Sequence, residues 1–360
     1  MKVVAIRTFP ANFPLARPIR AGGWDIASIG VLAVTVETGA GITGEGLAFT
    51  LNGRRMKMLV DGVESLAPLA IGLDPCFSGQ FMERALADTL FFGHKSPLVM
   101  SMAAIETALW DVRAKAAGLP MHRLIGAVRD RVPVYWSGGL WLTQSIDALQ
   151  REAVERMAAG YHAMKIRIAR GDDAVTAERV AAVRAAVGPS IKLMVDANQT
   201  LDVTSAIALA RRLAPFDLTW FEEPIPYYDH RGEAAIAAAS PIPIASGESE
   251  YLSRGLEEMV ALGAAQTLMP DLQRMGGIGE FLKAAHIAEP RGIKNSSHLF
   301  SEMSIGLLAA LPNATFLEIM PWFEEVYQDR IEIQDGSARV SELPGHGYRL
   351  DFKALERCRM

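Results

Sequence analysis

The chain reads IKLMVD at residues 191–196, LTWFE at 218–222 and IPIASGE at 242–248, three short apolar segments that each end in a carboxylate. These carboxylates, Asp196, Glu222 and Glu248, are spaced 26 residues apart. Such a spacing is typical of one strand, one helix and two connecting loops. Parallel strands present their carboxyl ends at one edge, so we expect the three side chains to converge there. Three convergent oxygen donors favour a hard divalent cation, and Mg²⁺ is the expected ion.

Outward from these segments, strands and helices alternate from Val132 onward. The predicted strands are Val132–Tyr135, Ala163–Ile168, Ile191–Val195, Leu218–Phe221, Ile242–Ala245, Thr267–Met269, Gly292–Lys294 and Thr315–Leu317. The predicted helices between them are Ile146–Ala158, Asp173–Val187, Val203–Leu213, Glu233–Ala239, Leu256–Leu262, Gly279–Ile287 and Glu302–Ala310. Repeated units of this length indicate an α/β fold, a modified TIM barrel of the (β/α)7β type, over residues 126–320. Active sites of such barrels lie at the carboxyl ends of the strands.

The first 125 residues have a different order, with strands first and helices afterwards, which is typical of an α+β domain. Strands are predicted at Val3–Phe9 and Val31–Glu37, with a third after Gly39, and helices at Arg54–Ala67, Gly79–Ala87 and Pro97–Ala117. We expect this domain to cap the barrel and to carry substrate-specificity loops. The segment Phe13–Ile29, with the pair Gly22-Gly23, is predicted to be a mobile lid. Residues 321–360 are expected to pack back on the cap.

Composition excludes several classes of function. The 360 residues carry a net charge of −5 and no basic stripe, which disfavours nucleic-acid binding. No apolar run is long enough to span a membrane, and Arg7 interrupts the stretch that a signal peptide would need. Cys76 and Cys358 match no disulfide or zinc spacing. These features predict a cytoplasmic enzyme acting on a small molecule.

Ionisable side chains lie at the ends of all predicted strands from the second to the eighth. They are Lys165 and Arg167, Asp196, Glu222, Glu248, Asp271, His298 and Glu318. Seven successive strands that deliver such a group favour a shared function over chance. The residue types fit removal of a proton beside a carboxylate, since a bound cation stabilises the charge that develops on the oxygens of the enediolate.

A base for this step needs a pKa near neutrality, which favours His298. Asp271 comes one strand earlier and can orient the imidazole. Glu318, if protonated, is a candidate hydrogen-bond donor to the enediolate oxygen. Lys165 would neutralise charge on the opposite face.

The motifs together resemble those of the enolase superfamily, and within it the mandelate racemase subgroup. The matching pieces are Lys165-Ile166-Arg167, Val195-Asp196-Ala197-Asn198-Gln199, Phe221-Glu222-Glu223-Pro224, Gly247-Glu248, Met269-Pro270-Asp271, Gly276-Gly277, Ser296-Ser297-His298-Leu299 and Leu317-Glu318. The likeness extends over nearly the whole chain, including the capping domain. It implies one Mg²⁺ per subunit, held by Asp196, Glu222 and Glu248, and a His298–Asp271 dyad.

The resemblance also implies that Glu318 is the electrophilic donor and that Asn198 lies near the metal and the α-hydroxyl of the substrate. One position departs from the pattern, because racemases of this subgroup have Lys-x-Lys where this chain has Lys165-Ile166-Arg167. A guanidinium is almost never free to accept a proton, so a two-base racemase is disfavoured unless Lys165 takes over. A single base suits dehydration. The implied function is therefore a Mg²⁺-dependent lyase that dehydrates a sugar acid to a 2-keto-3-deoxy acid.

Alternatives remain at this point. A racemase or epimerase would use Lys165 and His298 on opposite faces of the same site, and a metal-binding barrel without turnover is a second alternative. Gly276–Gly279 resembles a phosphate loop, although tight-turn chemistry before a barrel helix is commoner. For substrate contacts we expect Arg167 and Asn198 from the barrel and Trp24 and Arg20 from the lid, with Arg54 as a further candidate for a distal carboxylate. Such capped barrels often form symmetric assemblies, so a homo-oligomer is expected.

Overall fold

A computed structural model of the chain describes residues 1–21 and 23–360. Across these residues no helix is both long enough and apolar enough to cross a membrane. Cys76 is exposed and Cys358 is partly buried, and the two are not joined in a disulfide.

The amino-terminal part is a three-stranded antiparallel sheet covered by helices. Its elements are β1 (Val3–Ala21), β2 (Trp24–Thr38), β3 (Thr43–Leu51), α1 (Met56–Ala70), α2 (Ser78–Asp88), α3 (Pro97–Ala116) and the short α4 (Met121–Ile125). The lid expected as a loop is instead the end of the β1–β2 hairpin, paired from Pro14↔Ser28 to Ala21↔Trp24 with a shift in register between Pro14 and Ile19. Gly22, expected at its hinge, lies outside the described residues.

The barrel follows with strict alternation of strand and helix. The strands are β4 (Arg131–Trp136), β5 (Ala163–Arg167), β6 (Lys192–Asp196), β7 (Leu218–Glu222), β8 (Ile244–Ser246), β9 (Thr267–Leu268), β10 (Lys294–Asn295) and β11 (Leu317–Ile319). The helices are α5 (Ile146–Ala158), α6 (Asp173–Val187), α7 (Val203–Leu213), α8 (His230–Ala239), α9 (Leu252–Leu262), α10 (Ile278–Ala288) and α11 (Ser301–Ala310).

The sheet closes on itself through parallel pairs. Each strand from β4 to β9 pairs with the next, and β11 returns to β4 with Leu317 opposite Val134. Between β10 and β11 the backbone N–H of Thr315 donates to the carbonyl of Asn295 at 2.8 Å. The described strands therefore form a closed (β/α)7β barrel under a cap, and the predicted fold class is confirmed.

The inside of the barrel is filled by one layer of apolar side chains. This layer consists of Tyr135, Ala163, Met194, Trp220, Ala245 and Met269, with Phe316 packed against it. Tyr135 and Trp220 meet edge to face, with ring centroids 5.3 Å apart. Because side chains alternate across a strand, the residues two positions later face the same axis, one layer nearer the carboxyl ends.

The carboxyl-terminal segment contacts both parts of the chain. It contains β12 (Ile333–Gln334), β13 (Ser337–Arg339) and α12 (Phe352–Arg357), and β13 pairs antiparallel with β4. Its end lies on the cap, where the N–H of Asn12 donates to the Cys358 carbonyl and Phe352 packs on Phe9. These contacts support the expected packing, while the boundaries at residues 125 and 320 stay predictions.

One carboxylate of the cap reaches into the barrel and caps a barrel helix. Glu106 of α3 is buried and accepts hydrogen bonds from the N–H groups of Ile278 (2.7 Å) and Gly279 (3.1 Å), at the start of α10. A Cβ at Gly277, where φ is +116°, would lie 2.2 Å from a Glu106 oxygen. The glycine pair therefore admits a side-chain carboxylate, and the N–H groups considered for phosphate binding are already satisfied.

Candidate active site

Polar residues form the layer that follows the apolar one. Lys165 comes two positions after Ala163, Asp196 after Met194, Glu222 after Trp220, Asp271 after Met269 and Glu318 after Phe316. Strand pairing places Arg167 opposite Asp196 and Asp196 opposite Glu222. The period of two thus brings these five residues together on one face, while Glu248 and His298 lie two and three residues beyond the ends of β8 and β10.

Lys165 lies at the centre of this layer and is almost fully buried. Its ammonium donates to Glu222 Oε1 and to Glu318 Oε1 (3.1 Å), and lies 3.3 Å from Asp196 Oδ2. Burial and the nearby Arg167 lower the pKa of Lys165, but the three carboxylates outweigh them and raise it above its usual value. The ammonium is therefore a charged donor and not a base in this arrangement.

The carboxylates at this edge fit the cation that the sequence predicts. As placed, no three Asp, Glu, His or Cys side chains of the described residues converge closely enough to hold an ion. The reason is visible in their partners, since Asp196 and Glu222 turn to Lys165 while Glu248 Oε1 lies 3.3 Å from His298 Nε2. All three donors are oxygens, as Mg²⁺ requires, and a positive charge already lies between two of them.

Electrostatics at Glu222 indicate an excess of negative charge. Burial raises the pKa of Glu222 well above its usual value; Lys165 lowers it, but Asp196, Glu248 and Glu318 raise it further. Three neighbouring carboxylates around a fully buried fourth are a poor arrangement for a protein unless a further positive charge is bound. The donor set therefore fits a divalent cation.

His298 is held by Asp271 from the neighbouring strand end. Its Nδ1 lies 2.7 Å from Asp271 Oδ2, and the two residues form a parallel bridge between their strands. Burial lowers the pKa of His298, but Glu248 and Asp271 outweigh it and raise the pKa to about 9. The arrangement fixes the ring and directs Nε2 towards Glu248 and the cavity.

Glu318 is an acceptor in this structure. It accepts from Lys165 Nζ and from the N–H of Leu299 (2.6 Å), and both bonds favour its charged form. Burial raises the pKa of Glu318, but Lys165 and His298 outweigh it and hold the pKa well below the usual range. The donor role expected for Glu318 would require it to gain a proton, and it stays a prediction.

Arg167 is buried and only partly satisfied. Its Nη2 donates to Ser137 Oγ at 3.0 Å, its Nη1 lies 3.5 Å from Asp196 Oδ2, and the guanidinium lies over the Trp141 ring. Among the residues described, neither Nε nor Nη1 of Arg167 has a hydrogen-bond partner. Two buried donors beside a cavity are what a bound anion or hydroxyl would satisfy.

A network that the sequence reasoning missed supports the loops after β6 and β7. Asn198, Gln199 and Glu223 all have positive φ, which is uncommon outside glycine. Gln199 Nε2 donates to Glu223 Oε2 (2.7 Å) and to Ser249 Oγ (2.8 Å). Adjacent motif residues Asn198-Gln199 and Glu222-Glu223 were the only available signal, because backbone strain cannot be read from residue types.

A cavity of about 420 Å³ opens above these groups. Of the predicted site residues it is lined by Lys165, Arg167, Asp196, Asn198, Glu248, His298, Glu318 and Trp24. Glu222 and Asp271 are buried behind this lining. Arg20 does not reach it, because its side chain is 59% exposed and lies 3.8 Å from Asp25.

Fold and site together define a class: capped barrel enzymes that remove a proton beside a carboxylate with the aid of a divalent cation. Comparison with known families agrees. Residues 3–126 match the mandelate racemase / muconate lactonizing enzyme N-terminal domain, and residues 148–354 match the enolase C-terminal domain-like family. The chain belongs to the enolase superfamily, in the mandelate racemase / muconate lactonizing enzyme family, as its motifs predict.

Relatives of known activity are similar over most of the chain. An L-talarate/galactarate dehydratase of Salmonella typhimurium is 31% identical, over 91% of this chain and 82% of that protein. A 3,6-anhydro-alpha-L-galactonate cycloisomerase of Streptomyces coelicolor is 32% identical, over 91% of both chains. The solved L-talarate dehydratase from Polaromonas sp. JS666, complexed with Mg and L-glucarate, superposes with a TM-score of 0.93 at 32% identity, covering 100% of this chain and 97% of that one. Magnesium, predicted for this chain, is thus bound in a relative of the same fold.

Proposed function

We propose that the protein dehydrates a sugar acid to a 2-keto-3-deoxy acid. The observation that carries this proposal is a single buried His–Asp dyad facing a cavity whose opposite wall holds an arginine. Nδ1 of His298 is bound by Asp271, and Arg167 occupies the place of a second base. The named activities of two relatives, dehydration of talarate or galactarate and of talarate, support the same reaction class.

His298 would act first as the base, once Glu248 turns from its Nε2 to the cation, because Glu248 is the strongest of the groups that raise the pKa of the ring and keep it protonated in this structure. Its Nε2 accepts the proton from C2 of the substrate, and the electron pair of the C–H bond moves onto the carboxylate. That electron pair then forms the C2=C3 double bond as the C3–O bond breaks, and the hydroxyl leaves as water with the proton carried by His298. The enol product tautomerises to the keto acid. One residue on one face serves both proton transfers.

Asp196, Glu222 and Glu248 would hold the Mg²⁺. When bound, the ion supplies a Lewis acid that stabilises negative charge on the substrate carboxylate. Lys165 would donate to the same oxygens in place of one of its present carboxylate partners. Asn198, whose Nδ2 now bonds Asp196 at 3.2 Å, lines the cavity where the α-hydroxyl would lie.

The racemase alternative is supported less well. It would need Lys165 as the base on the second face, and the ammonium already donates to Glu222 and Glu318. Arg167 remains protonated throughout the accessible pH range, so it can bind an oxygen but cannot remove a proton. A cycloisomerase among the relatives shows only that isomerisation occurs in the family.

The proposal is tested by incubating the purified protein and Mg²⁺ with a panel of aldonic and aldaric acids, and assaying for α-keto acid. His298→Asn is expected to abolish turnover and to leave Mg²⁺ binding, measured by calorimetry, unchanged. The matched control is His286→Asn, since His286 is exposed on α10. Formation of no keto acid from any member of the panel would sink the proposal.

Arg167→Lys separates dehydration from racemisation. A lysine here restores the Lys-x-Lys pattern and adds a group that can lose its proton. We expect the variant in D₂O to incorporate deuterium at C2 with partial epimerisation. The native protein should exchange the C2 proton on one face of that carbon only, without epimerisation. The same epimerisation by the native protein would favour the racemase instead.

A further inference from the structure

The cavity has two unlike halves. Its floor is formed by the strand-end residues of the barrel, and the part contributed by the cap, here called the roof, is uncharged. The roof consists of Ala21, Trp24, Ile26, Phe49 and Leu51. Trp141, Met320 and Trp322 continue this uncharged surface from the barrel loops. A substrate whose carboxylate lies at the floor therefore extends its other end towards apolar side chains.

The positive charges of the cavity are concentrated at the floor. Lys165 is bound to carboxylates, and Arg274 donates from Nη1 to the Glu248 carbonyl (2.9 Å) and lies 3.7 Å from Asp271. Among the described cations of the lining, Arg167 alone has buried nitrogens without a hydrogen-bond partner, and it lies beside Asp196. The described part of the cap contributes no charged residue to this lining.

The two arginines expected to bind a distal carboxylate are elsewhere. Arg20 is exposed beside Asp25. Arg54 does not line the first cavity but a neighbouring one of about 280 Å³ between β3, α1 and α3, on the other side of Phe49 and Leu51. A second carboxylate against the roof would lose water without gaining a charged partner. Burial of an unpaired carboxylate is strongly unfavourable, whereas burial of a methyl group is favourable.

We infer that the substrate is a sugar monocarboxylate with an apolar end distal to C1, such as a terminal methyl group, and that diacids are rejected. This inference rests on the proposed function and narrows it. It predicts that this protein differs in substrate from the relative that acts on galactarate, because galactarate carries a carboxylate at both ends.

The test uses sets of three acids that share the configuration of C2–C5 and differ at C6, as methyl, hydroxymethyl or carboxylate. For the configuration that the enzyme accepts, we expect kcat/KM for the methyl acid to equal or exceed that for the hydroxymethyl acid. Both should exceed the diacid by about 100-fold or more, because the roof offers the second carboxylate no partner. A diacid turned over as fast as its monoacid overturns the inference and leaves the dehydratase proposal intact. Turnover of no acid at all defeats the dehydratase proposal, and the inference with it.

Leu51→Arg tests the roof directly. Leu51 is half-buried at the end of β3, so a guanidinium at this position can reach the cavity. We expect the ratio of kcat/KM for diacid over methyl acid to rise about tenfold or more in Leu51→Arg and to stay unchanged in Leu51→Met. Ala21→Arg with Ala21→Gln repeats the test on the lid hairpin if the first variant does not fold. An unchanged ratio in folded arginine variants at both positions would overturn the inference.

Discussion

The floor and the roof of the cavity differ in how the sequence builds them. Most floor residues follow the interior apolar layer at intervals of two, so the barrel register places them together, whereas Glu248 and His298 lie just beyond the ends of their strands. Roof residues come from the β1–β2 hairpin and from the end of β3. Their positions depend on strand pairing between residues up to about 20 positions apart in the chain. We therefore expect the chemistry to depend on the barrel and the choice of substrate on the cap.

The largest expected effect is on the floor. Glu222→Gln removes one charge from the proposed cation site, and we expect turnover to fall by about 1000-fold or more for every acid alike. Calorimetry with Mg²⁺ should show weakened binding in Glu222→Gln and native binding in the control Glu257→Gln, an exposed position on α9. A loss that differed strongly between acids would mean that the floor also selects substrates.

The next effect is a pH dependence of stability that we expect from Glu233, a buried carboxyl group outside the proposed cation site. Glu233 of α8 is buried; it accepts from Ser246 Oγ, and its Oε2 has no partner among the described residues. Burial raises its pKa to about 7, although Ser246 and His230 lower it. An acid whose pKa is higher folded than unfolded stabilises the fold below its unfolded pKa, near 4.5, and this stability is lost as the pH rises through 7.

The variant Glu233→Gln has no ionisable group at this position, so its stability does not depend on the protonation of residue 233. Between pH 4.5 and 7.5 the native protein should lose up to about 3 kcal/mol of unfolding free energy relative to the variant. Urea unfolding of both proteins across this range measures the difference. Parallel stability curves would show that Glu233 titrates normally.

A smaller effect is expected where the cap meets the barrel. In Gly277→Ala the new methyl meets Glu106 and the residue keeps a positive φ, whereas in Gly263→Ala only the positive φ is unfavourable because the space there is open. We expect Gly263→Ala to cost about 1 kcal/mol and Gly277→Ala about 2 kcal/mol more. Equal losses in thermal unfolding would mean that Glu106 moves aside freely.

The smallest effect is expected in the roof. Trp24 lies on the lid hairpin, lines the cavity and is half exposed. Trp24→Ala should raise KM about tenfold, change kcat little and leave Mg²⁺ affinity unchanged, with Trp24→Phe close to native. A fall in kcat of the same size as in Glu222→Gln would contradict the separation of floor and roof.

Most of the barrel could be predicted from local patterns. The bounds of α5, α6 and α7 agree with the sequence because caps and apolar periodicity are local signals, with Asp172 and Asp202 as N-caps. Strand ends differ by one or two residues, and these shifts do not change which residues face the axis. Asp196, Glu222, Asp271 and Glu318 could be predicted to lie at this edge because each follows an interior apolar residue by two positions, whereas Glu248 and His298 depended on the 26-residue spacing and on the motifs.

Three features could not be predicted from the sequence because they depend on contacts between residues far apart in the chain. The lid is a paired hairpin, since β pairing and not local composition orders Phe13–Ile29. Lys165 bonds three carboxylates from three strands, a set of partners that no spacing specifies. Arg20 has the residue type expected of an anion ligand, yet its Nε lies 3.8 Å from Asp25 Oδ1 and its side chain does not line the cavity.

The contact between Glu106 and the start of α10 has a consequence for recombining family members. Asp271 precedes Gly277 by six residues, so the helix that a cap residue secures also bounds the loop that carries half of the dyad. A chimaera that joins this barrel to a foreign cap without an acidic residue at this position would leave two amides bare at a buried helix start. The cap glutamate and the barrel glycine must therefore occur together, and we expect an exchange of whole caps to succeed only when the new cap carries an acidic residue at the position of Glu106.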